Sequence, residues 1–265
     1  MPRLGRYFLP EQPLHVIQRG NNRQAIFFDD DDYACYRDWL AEAAAEYGCV
    51  VHAYVLMTNH VHLLTTPRDA DSLPRVMQSL GRRYVSHINT LYRRTGTLWE
   101  GRYRAAPIDS ERYFLSCCRY IELNPVRARM VRHPREYRWS GYRAHAVGAS
   151  DSLAAAHDLY DRLGRTPAER QKGYRTLFRE ALDAGFIDEL RAATNGGWAL
   201  GMGAEQRAVS GLATKGRQTG AAATAPRPAS RSRSPAPGTV RMAGRLWRVA
   251  AVRVTRHGCR RRRAR

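Results

Sequence analysis

Residues 49–57 and 60–66 are two extended, largely apolar runs with only Thr58 and Asn59 between them, and no other feature constrains the fold as tightly. Strands joined by so short a connection lie side by side and antiparallel. Around this pair the pattern reads as strand 13–19, an Asn-Asn turn, helix 31–47 behind an Asp run, helix 72–94, strand 98–108 and helix 110–124. The order β-α-β-β-α-β followed by α predicts an α+β, ferredoxin-like fold: a split βαβ arrangement whose antiparallel sheet carries helices on one face. Residues 151–193 read as further helices packed on that core. The acidic run Asp29–Asp32 is expected to be solvated charge favoured by the helix dipole.

The second strand of the pair, Thr58-Asn-His-Val-His-Leu-Leu-Thr-Thr66, puts His60 and His62 on one sheet face and Val61 and Leu63 on the other. Two imidazoles about 7 Å apart along a strand can hold one divalent cation from one side and leave the other side open to a substrate phosphate. A bare His-x-His is more often a pair of satisfied strand histidines, so the motif needs support from elsewhere in the chain.

Support comes from residues 110–124, where Ser110 is a plausible N-cap and Pro125 is expected to end the helix. Helical spacing then places Tyr120 and Asn124 one turn apart on a common face, with Tyr113 two turns before Tyr120. A phenol and a carboxamide would face the same place. The plainer alternative makes Tyr120 a core residue and Asn124 a C-terminal cap.

Five blocks in order, His15-Val-Ile-Gln-Arg-Gly-Asn-Asn22, Met57-Thr-Asn-His-Val-His-Leu-Leu64, Leu98-Trp-Glu-Gly-Arg-Tyr103, Tyr120-Ile-Glu-Leu-Asn-Pro-Val-Arg-Ala128 and Tyr137-Arg-Trp-Ser-Gly-Tyr142, carry a family resemblance. Together they resemble the single-tyrosine HUH transposases, most closely the REP-associated tyrosine transposases, from about residue 8 to about residue 203. The resemblance implies that His60 and His62 bind a divalent cation, Mg²⁺ or Mn²⁺, that Tyr120 is the nucleophile, and that Asn124 completes the metal site. It also implies metal-dependent cleavage and rejoining of single-stranded or palindromic hairpin DNA through a 5′-phosphotyrosine. A tyrosine hydroxyl, with an ordinary pKa of about 10, needs positive charge or a base nearby to act as a nucleophile at neutral pH. Imidazole and amide oxygen suit Mn²⁺ or Zn²⁺ better than Mg²⁺.

Charge is distributed in a way that fits a nucleic-acid partner. Of the formal net charge of +20, an excess of ten lies in residues 75–143 and sixteen in 206–265, while 1–74 and 144–205 are slightly acidic. Residues 75–143 interleave arginines with Tyr84, Tyr92, Trp99 and Tyr103, a mixture suited to phosphates and unpaired bases. The candidate DNA contacts are Arg82, Arg83, Arg102, Arg104, Arg119 and Arg127; a solvated basic helix face is the alternative for each. Residues 206–265 contain no Asp, Glu, Asn, Phe, Tyr or Ile and read as a disordered Arg-rich tail. The expected organisation is a transposase domain over 1–145, a helical extension over 146–205 packed on it, and that tail.

Cys35, Cys49, Cys117, Cys118 and Cys259 form no C-x-x-C pair, and the odd count without a signal peptide points to a reducing, bacterial cytoplasm. No apolar run approaches 18 residues, so no membrane span is expected. The oligomeric state, monomer or homodimer, stays open. Also open are a catalytically silent hairpin-binding regulator, a metal-dependent hydrolase in which water attacks, and a replication-initiator or relaxase-type HUH nuclease. Covalent attachment through tyrosine, free cleaved ends, or binding without cleavage separates the first two from the transposase.

Overall fold

The computed structural model describes residues 9–108 and 111–200. Strands β1 (Leu14–Arg19), β2 (Cys49–Met57), β3 (His60–Pro67) and β4 (Arg104–Pro107) form one sheet in the order β2-β3-β1-β4. Every pairing is antiparallel. With α1 (Asp30–Tyr47) between β1 and β2 and α2 (Ser72–Leu91) between β3 and β4, this is the split βαβ arrangement expected of a ferredoxin-like α+β fold. Ser110 and the Arg-rich stretch 206–265 lie outside the described residues.

The two sheet faces differ in chemistry. Val16, Val61 and Leu63 are fully buried beneath α1 and α2, which pack on one another. Between those helices lies an aromatic cluster: Tyr36 meets Tyr84 edge-on at 4.9 Å between centroids, Phe27 and Trp99 flank them, and the Tyr84 hydroxyl donates to the Ile26 carbonyl at 2.8 Å. The opposite face carries His15, His60 and His62 and is covered by α3 (Phe114–Glu122) and α8 (Ala184–Gly196). Helices therefore occupy both faces, where one was expected.

Asp32 departs from the expected solvated run. Asp29, Asp30 and Asp31 are exposed, and Asp29 caps α1 by accepting from the Asp31 N–H at 2.6 Å. Asp32 instead is fully buried, accepting from the N–H groups of Phe28 and Asp29 and from the Tyr92 hydroxyl at 2.8 Å. The donors in the first turn of α1 and at the end of α2 replace its water.

β4 is shorter than the predicted strand over 98–108. The chain touches β1 twice, first as an isolated bridge between Trp99 and Gly20, then from Arg104 opposite Ile17. Gly101 between them has φ +105, a conformation no strand residue adopts, and it interrupts the ladder. The helix that carries Tyr120 is shorter too. It starts at Phe114, ends at Glu122, and gives way to a one-turn helix α4 (Asn124–Arg127) with Pro125 in its first turn. Pro125 thus begins a helix rather than stopping one, because its absent N–H is replaced: the Asn124 side-chain amide donates to the carbonyls of Tyr120 and Ile121, each at 3.1 Å.

Beyond α4 the chain covers the outer edge of β2 and then the histidine face. Leu56 and Tyr54 bond to Trp139 and Gly141, and Ala155 to Val51, so an otherwise open edge is paired. After α5 (Tyr142–Val147) and α6 (Asp158–Asp161), α7 (Pro167–Leu177) is anchored by the Tyr174 hydroxyl, which donates to the fully buried Glu122 at 2.8 Å. α8 packs on β4 and β1, and the Leu200 N–H reaches the Pro107 carbonyl.

Gly20, at the end of β1, is where the turn before His60 meets the loop after β1. Its N–H donates to the Asn59 carbonyl at 2.8 Å, and a Cβ there would lie 2.3 Å from the Gln24 carbonyl oxygen and 2.8 Å from Ile26. Gly20→Ala is expected to lower the unfolding free energy by about 1–3 kcal/mol, as overpacking does. Urea denaturation with an unchanged m-value would check it; an unaltered midpoint would show that the loop yields freely.

Candidate active site

β3 is an inner strand, so its side chains on the helix-α3 face are hemmed in by β1 and β2. His62 lies opposite Ile17 and Val55, and His60 opposite Arg19 and Met57. His62 is buried while His60, the first residue of the strand, is half-buried, and their ring centroids are 5.0 Å apart. The Asn59 amide donates to the Arg23 carbonyl at 2.8 Å, which orients its oxygen toward His60 Nδ1 at 2.6 Å. An amide oxygen only accepts, so Nδ1 of His60 carries the proton and Nε2 presents a lone pair.

His62 has a partner that strand alternation alone does not disclose. His15 on β1 shares its sheet face; His15 Nε2 lies 3.0 Å from His62 Nδ1 and the ring centroids are 5.2 Å apart with only 9° between planes. His15 Nδ1 is in turn 2.7 Å from the Thr194 hydroxyl on α8. Nε2 of His62 is the nitrogen outside this chain of contacts. Burial, followed by the charge of Arg127, pushes the His15 pKa down to about 3. Burial and then Arg19 push His60 down to about 4. His62 is held well below the usual histidine value, by burial first and then by His15, His60 and the two arginines. All three rings are therefore neutral near pH 7, the form that ligates metals.

Tyr120 stands over this pair. α3 sets Phe114, Cys117, Cys118 and Ile121 into the core, which fixes the rotation of the helix and turns Tyr120 toward the sheet. Its ring meets His15 and His62 edge-on, at 5.6 and 5.7 Å between centroids, and the residue is 3% exposed. Arg127 lies over the ring, 4.1 Å from its centroid, and donates to the Asn124 side-chain oxygen at 2.9 Å. Burial lowers the Arg127 pKa, opposed by interaction with the Tyr120 side chain.

The structure thus brings His60, His62 and Tyr120 to one face, with Asn124 and Arg127 on α4, the one-turn helix that follows. Asn124 serves as the C-terminal cap described above, and its oxygen is engaged by Arg127. Arg127 is a partner of Tyr120 rather than a free surface cation. Arg119 donates to the Glu180 carbonyl, binding α3 to the segment before α8. Arg104 donates to the Asn195 side chain at 2.6 Å on the α8 side, and Arg102 is exposed just before β4. Arg82 and Arg83 belong to α2, across the sheet from Tyr120, and Arg83 is paired with Glu42 and packed 4.2 Å over Trp39. Tyr113 caps the start of α3 and stacks on Phe186, away from the histidines. Sequence reading missed His15 and Thr194. His15 could have been found from its alternation with Ile17 and Arg19 once the β1–β3 register was known.

Among the described residues no group of three or more His, Cys, Asp or Glu is placed to hold a metal ion. The donor set for a cation is therefore the two neutral imidazoles, each with Nδ1 engaged and Nε2 free, and that set fits a divalent ion bound from one side. No helix among the described residues is long and apolar enough to cross a membrane.

No curated protein matches the chain. Among solved structures, a REP-associated tyrosine transposase bound to a REP hairpin is similar over 59% of this chain and 93% of its own, at 18% identity and a TM-score of 0.45. A protein from Deinococcus radiodurans R1, described as a transposase, is similar over 46% of this chain and 96% of its own, at 26% identity and a TM-score of 0.33. A tRNA(His) guanylyltransferase from Saccharomyces cerevisiae is similar over 67% and 82%, at 8% identity and a TM-score of 0.36. The family model described as "Transposase IS200 like" matches residues 10–124, from the turn before β1 to Asn124 just after α3. Over those residues, which are less than half of the chain, the sequence is similar to the IS200-like transposase family.

Proposed function

We propose that this protein cleaves and rejoins single-stranded DNA through a covalent link to Tyr120, acting on palindromic hairpins in the manner of REP-associated tyrosine transposases. The observation that carries the reading is the packing of Tyr120 edge-on against His62, beside two imidazoles whose Nε2 atoms are free. The motif blocks around these residues point to the REP-associated branch and to hairpin DNA as the partner. Residues 1–145 would form the catalytic domain, with 146–205 completing it.

In this mechanism the Tyr120 hydroxyl attacks a DNA phosphorus in line with the 3′ oxygen. A phosphorus–oxygen bond forms to tyrosine, the bond to the 3′ oxygen breaks, and a strand with a free 3′-OH leaves. The phenolic proton passes to solvent or to the departing oxygen. Arg127, stacked on the ring, supplies positive charge next to the oxygen as it becomes anionic. The hydrogen-bonded pair of His15 and His62 supports the ring's edge and limits its rotation. A divalent cation, Mg²⁺ or Mn²⁺, held by His60 and His62 would act as a Lewis acid on the scissile phosphate. Asn124 would join the ligand set only by releasing Arg127. A 3′-OH from another strand can attack the phosphotyrosine in turn, so rejoining needs no external energy source. Arg102 and Arg104 would contact the strand near β4, whereas Arg82 and Arg83 would act on DNA that wraps to the other layer.

Tyr120→Phe is expected to abolish the covalent protein–DNA adduct on denaturing gels while hairpin binding changes less than about threefold, since only the hydroxyl is lost; undiminished adduct would move the nucleophile elsewhere. His60→Ala and His62→Ala should each remove metal-dependent cleavage. Free cleaved ends without adduct would favour a hydrolase, and binding without cleavage a regulator.

The depressed histidine pKa values give a pH test with a definite sign. Protonation competes with metal only below the folded pKa, about 4 for His60, so Mn²⁺ affinity should be nearly flat from pH 7.5 to 5.5. Imidazoles with the ordinary pKa of 6.5 would each lose roughly tenfold by pH 5.5. The same shifts make the unfolded chain bind more protons, so folding stability should decline as pH falls through about 6.5 toward 4. Isothermal titration with Mn²⁺ and urea melts at three pH values would read both; a steep loss of affinity near pH 6.5 would contradict the buried, neutral rings.

A further inference from the structure

α8 lies outside the segment that carries the family match, yet it ends in the active site. Thr194 is 1% exposed, and its hydroxyl makes two contacts: it donates to the Leu190 carbonyl one turn back at 2.8 Å, and it lies 2.7 Å from His15 Nδ1. A hydroxyl has one proton. With that proton committed to Leu190, the oxygen can only accept from His15, so His15 carries its proton on Nδ1. A neutral imidazole protonated at Nδ1 offers a lone pair at Nε2, and the atom facing that lone pair at 3.0 Å is His62 Nδ1. His62 must then donate from Nδ1, and its own lone pair falls on Nε2.

We infer that Thr194 and His15 are positioning residues that set the tautomer of His62, so that Nε2 is the nitrogen offered to a divalent cation. This rests on the metal-dependent transposase reading given above. The reverse chain, with Thr194 donating to His15, would put a proton on Nε2 of His62 and block it as a ligand. The carbonyl of Leu190, 128 positions beyond His62 in sequence, therefore decides which nitrogen of His62 is available. The two rings lie nearly in one plane, with 9° between planes and centroids 5.2 Å apart, the arrangement that an N–H···N hydrogen bond between ring edges requires. α8 is itself fixed independently of the relay, by Arg104 on Asn195 and by Leu200 on Pro107. It is consequently a part of the site and not an appendage to it. Outer partners of ligating histidines commonly act in this way, and their loss costs 10- to 100-fold in metal affinity.

The test uses the full chain labelled with ¹⁵N-histidine and free of metal. Long-range ¹H–¹⁵N correlation at pH 7.5 should show both His15 and His62 protonated at Nδ1. A wild-type His62 protonated at Nε2 would overturn the proposal without any variant having to fold. Thr194→Val, close in shape but lacking the hydroxyl, should lose the single tautomer at His62 and bind Mn²⁺ about 10- to 100-fold more weakly. Thr194→Ser should restore both. Unchanged Mn²⁺ affinity and an unchanged His62 spectrum in Thr194→Val would sink the relay, as would failure of serine to rescue a folded valine variant. The tautomer spectrum stands apart from catalysis. If wild-type protein forms no covalent DNA adduct yet shows the expected tautomers and Mn²⁺ affinity, the transposase chemistry fails while the relay holds.

Discussion

An imidazole buried on the face of a β-sheet has to have its ring nitrogens accounted for, and the architecture around His62 follows from that requirement. An unpaired polar atom in such a place costs about 1–3 kcal/mol. One nitrogen is satisfied by His15, which is satisfied in turn by Thr194, and these three residues come from β3, β1 and α8. Tyr120, from α3, closes the space above both rings. Four elements converge because a single ring is placed where water cannot reach it. The nitrogen left over has no hydrogen-bond partner among the described residues, and it is directed by the same contacts that satisfy the rest.

The candidate site and the aliphatic and aromatic core lie on opposite faces of the sheet. The face under α1 and α2 is filled by Val16, Val61, Leu63 and the Tyr36–Tyr84 cluster, where the Tyr84 hydroxyl donates to the Ile26 carbonyl and Asp32 accepts from the Phe28 N–H. The other face exchanges apolar packing for rings that hydrogen-bond. Val61 and Leu63 alternate with His60 and His62 on one strand, so the aliphatic side anchors the register that aligns His15 with His62. A one-residue slip would bury Val61 in the site and turn both histidines into the aromatic core.

That alternation is why so much of the site was legible from the chain itself. Period-two patterning put His60 and His62 on one face, and helical spacing placed Asn124 at the end of the turn that starts with Tyr120. The order of strands and helices likewise followed from local pattern. What depended on contacts distant in sequence was not legible. His15 joins His62 only through the β1–β3 register, and Thr194 reaches His15 across 179 positions. Arg127 looked like one more phosphate-binding cation because its charge is local information, whereas the ring it covers is a matter of how its side chain reaches back. Strand β4 was overestimated since the apolar pattern from Leu98 onward continues through Gly101, whose φ of +105 breaks the ladder without breaking the pattern. Asp32 was grouped with its exposed neighbours because composition does not tell which of four aspartates turns inward.

The placement of Tyr120 near the C-terminal end of α3 raises an electrostatic difficulty that the following residues resolve. The last carbonyls of a helix carry partial negative charge, which opposes the formation of an anionic phenolate in the final turn. Pro125 would make this worse by withholding the N–H that the Ile121 carbonyl expects. Asn124 removes part of the charge by donating to the carbonyls of both Tyr120 and Ile121. Its oxygen then orients Arg127, whose guanidinium is laid over the Tyr120 ring at 4.1 Å. The sequence Asn-Pro-Val-Arg thus acts as one device: proline sits in the first turn of α4, asparagine neutralises the exposed carbonyls, and arginine brings a cation to the ring. Tyr120 and Arg127 are seven residues apart, about two helical turns, so they share a face, and the long arginine side chain reaches back over the ring.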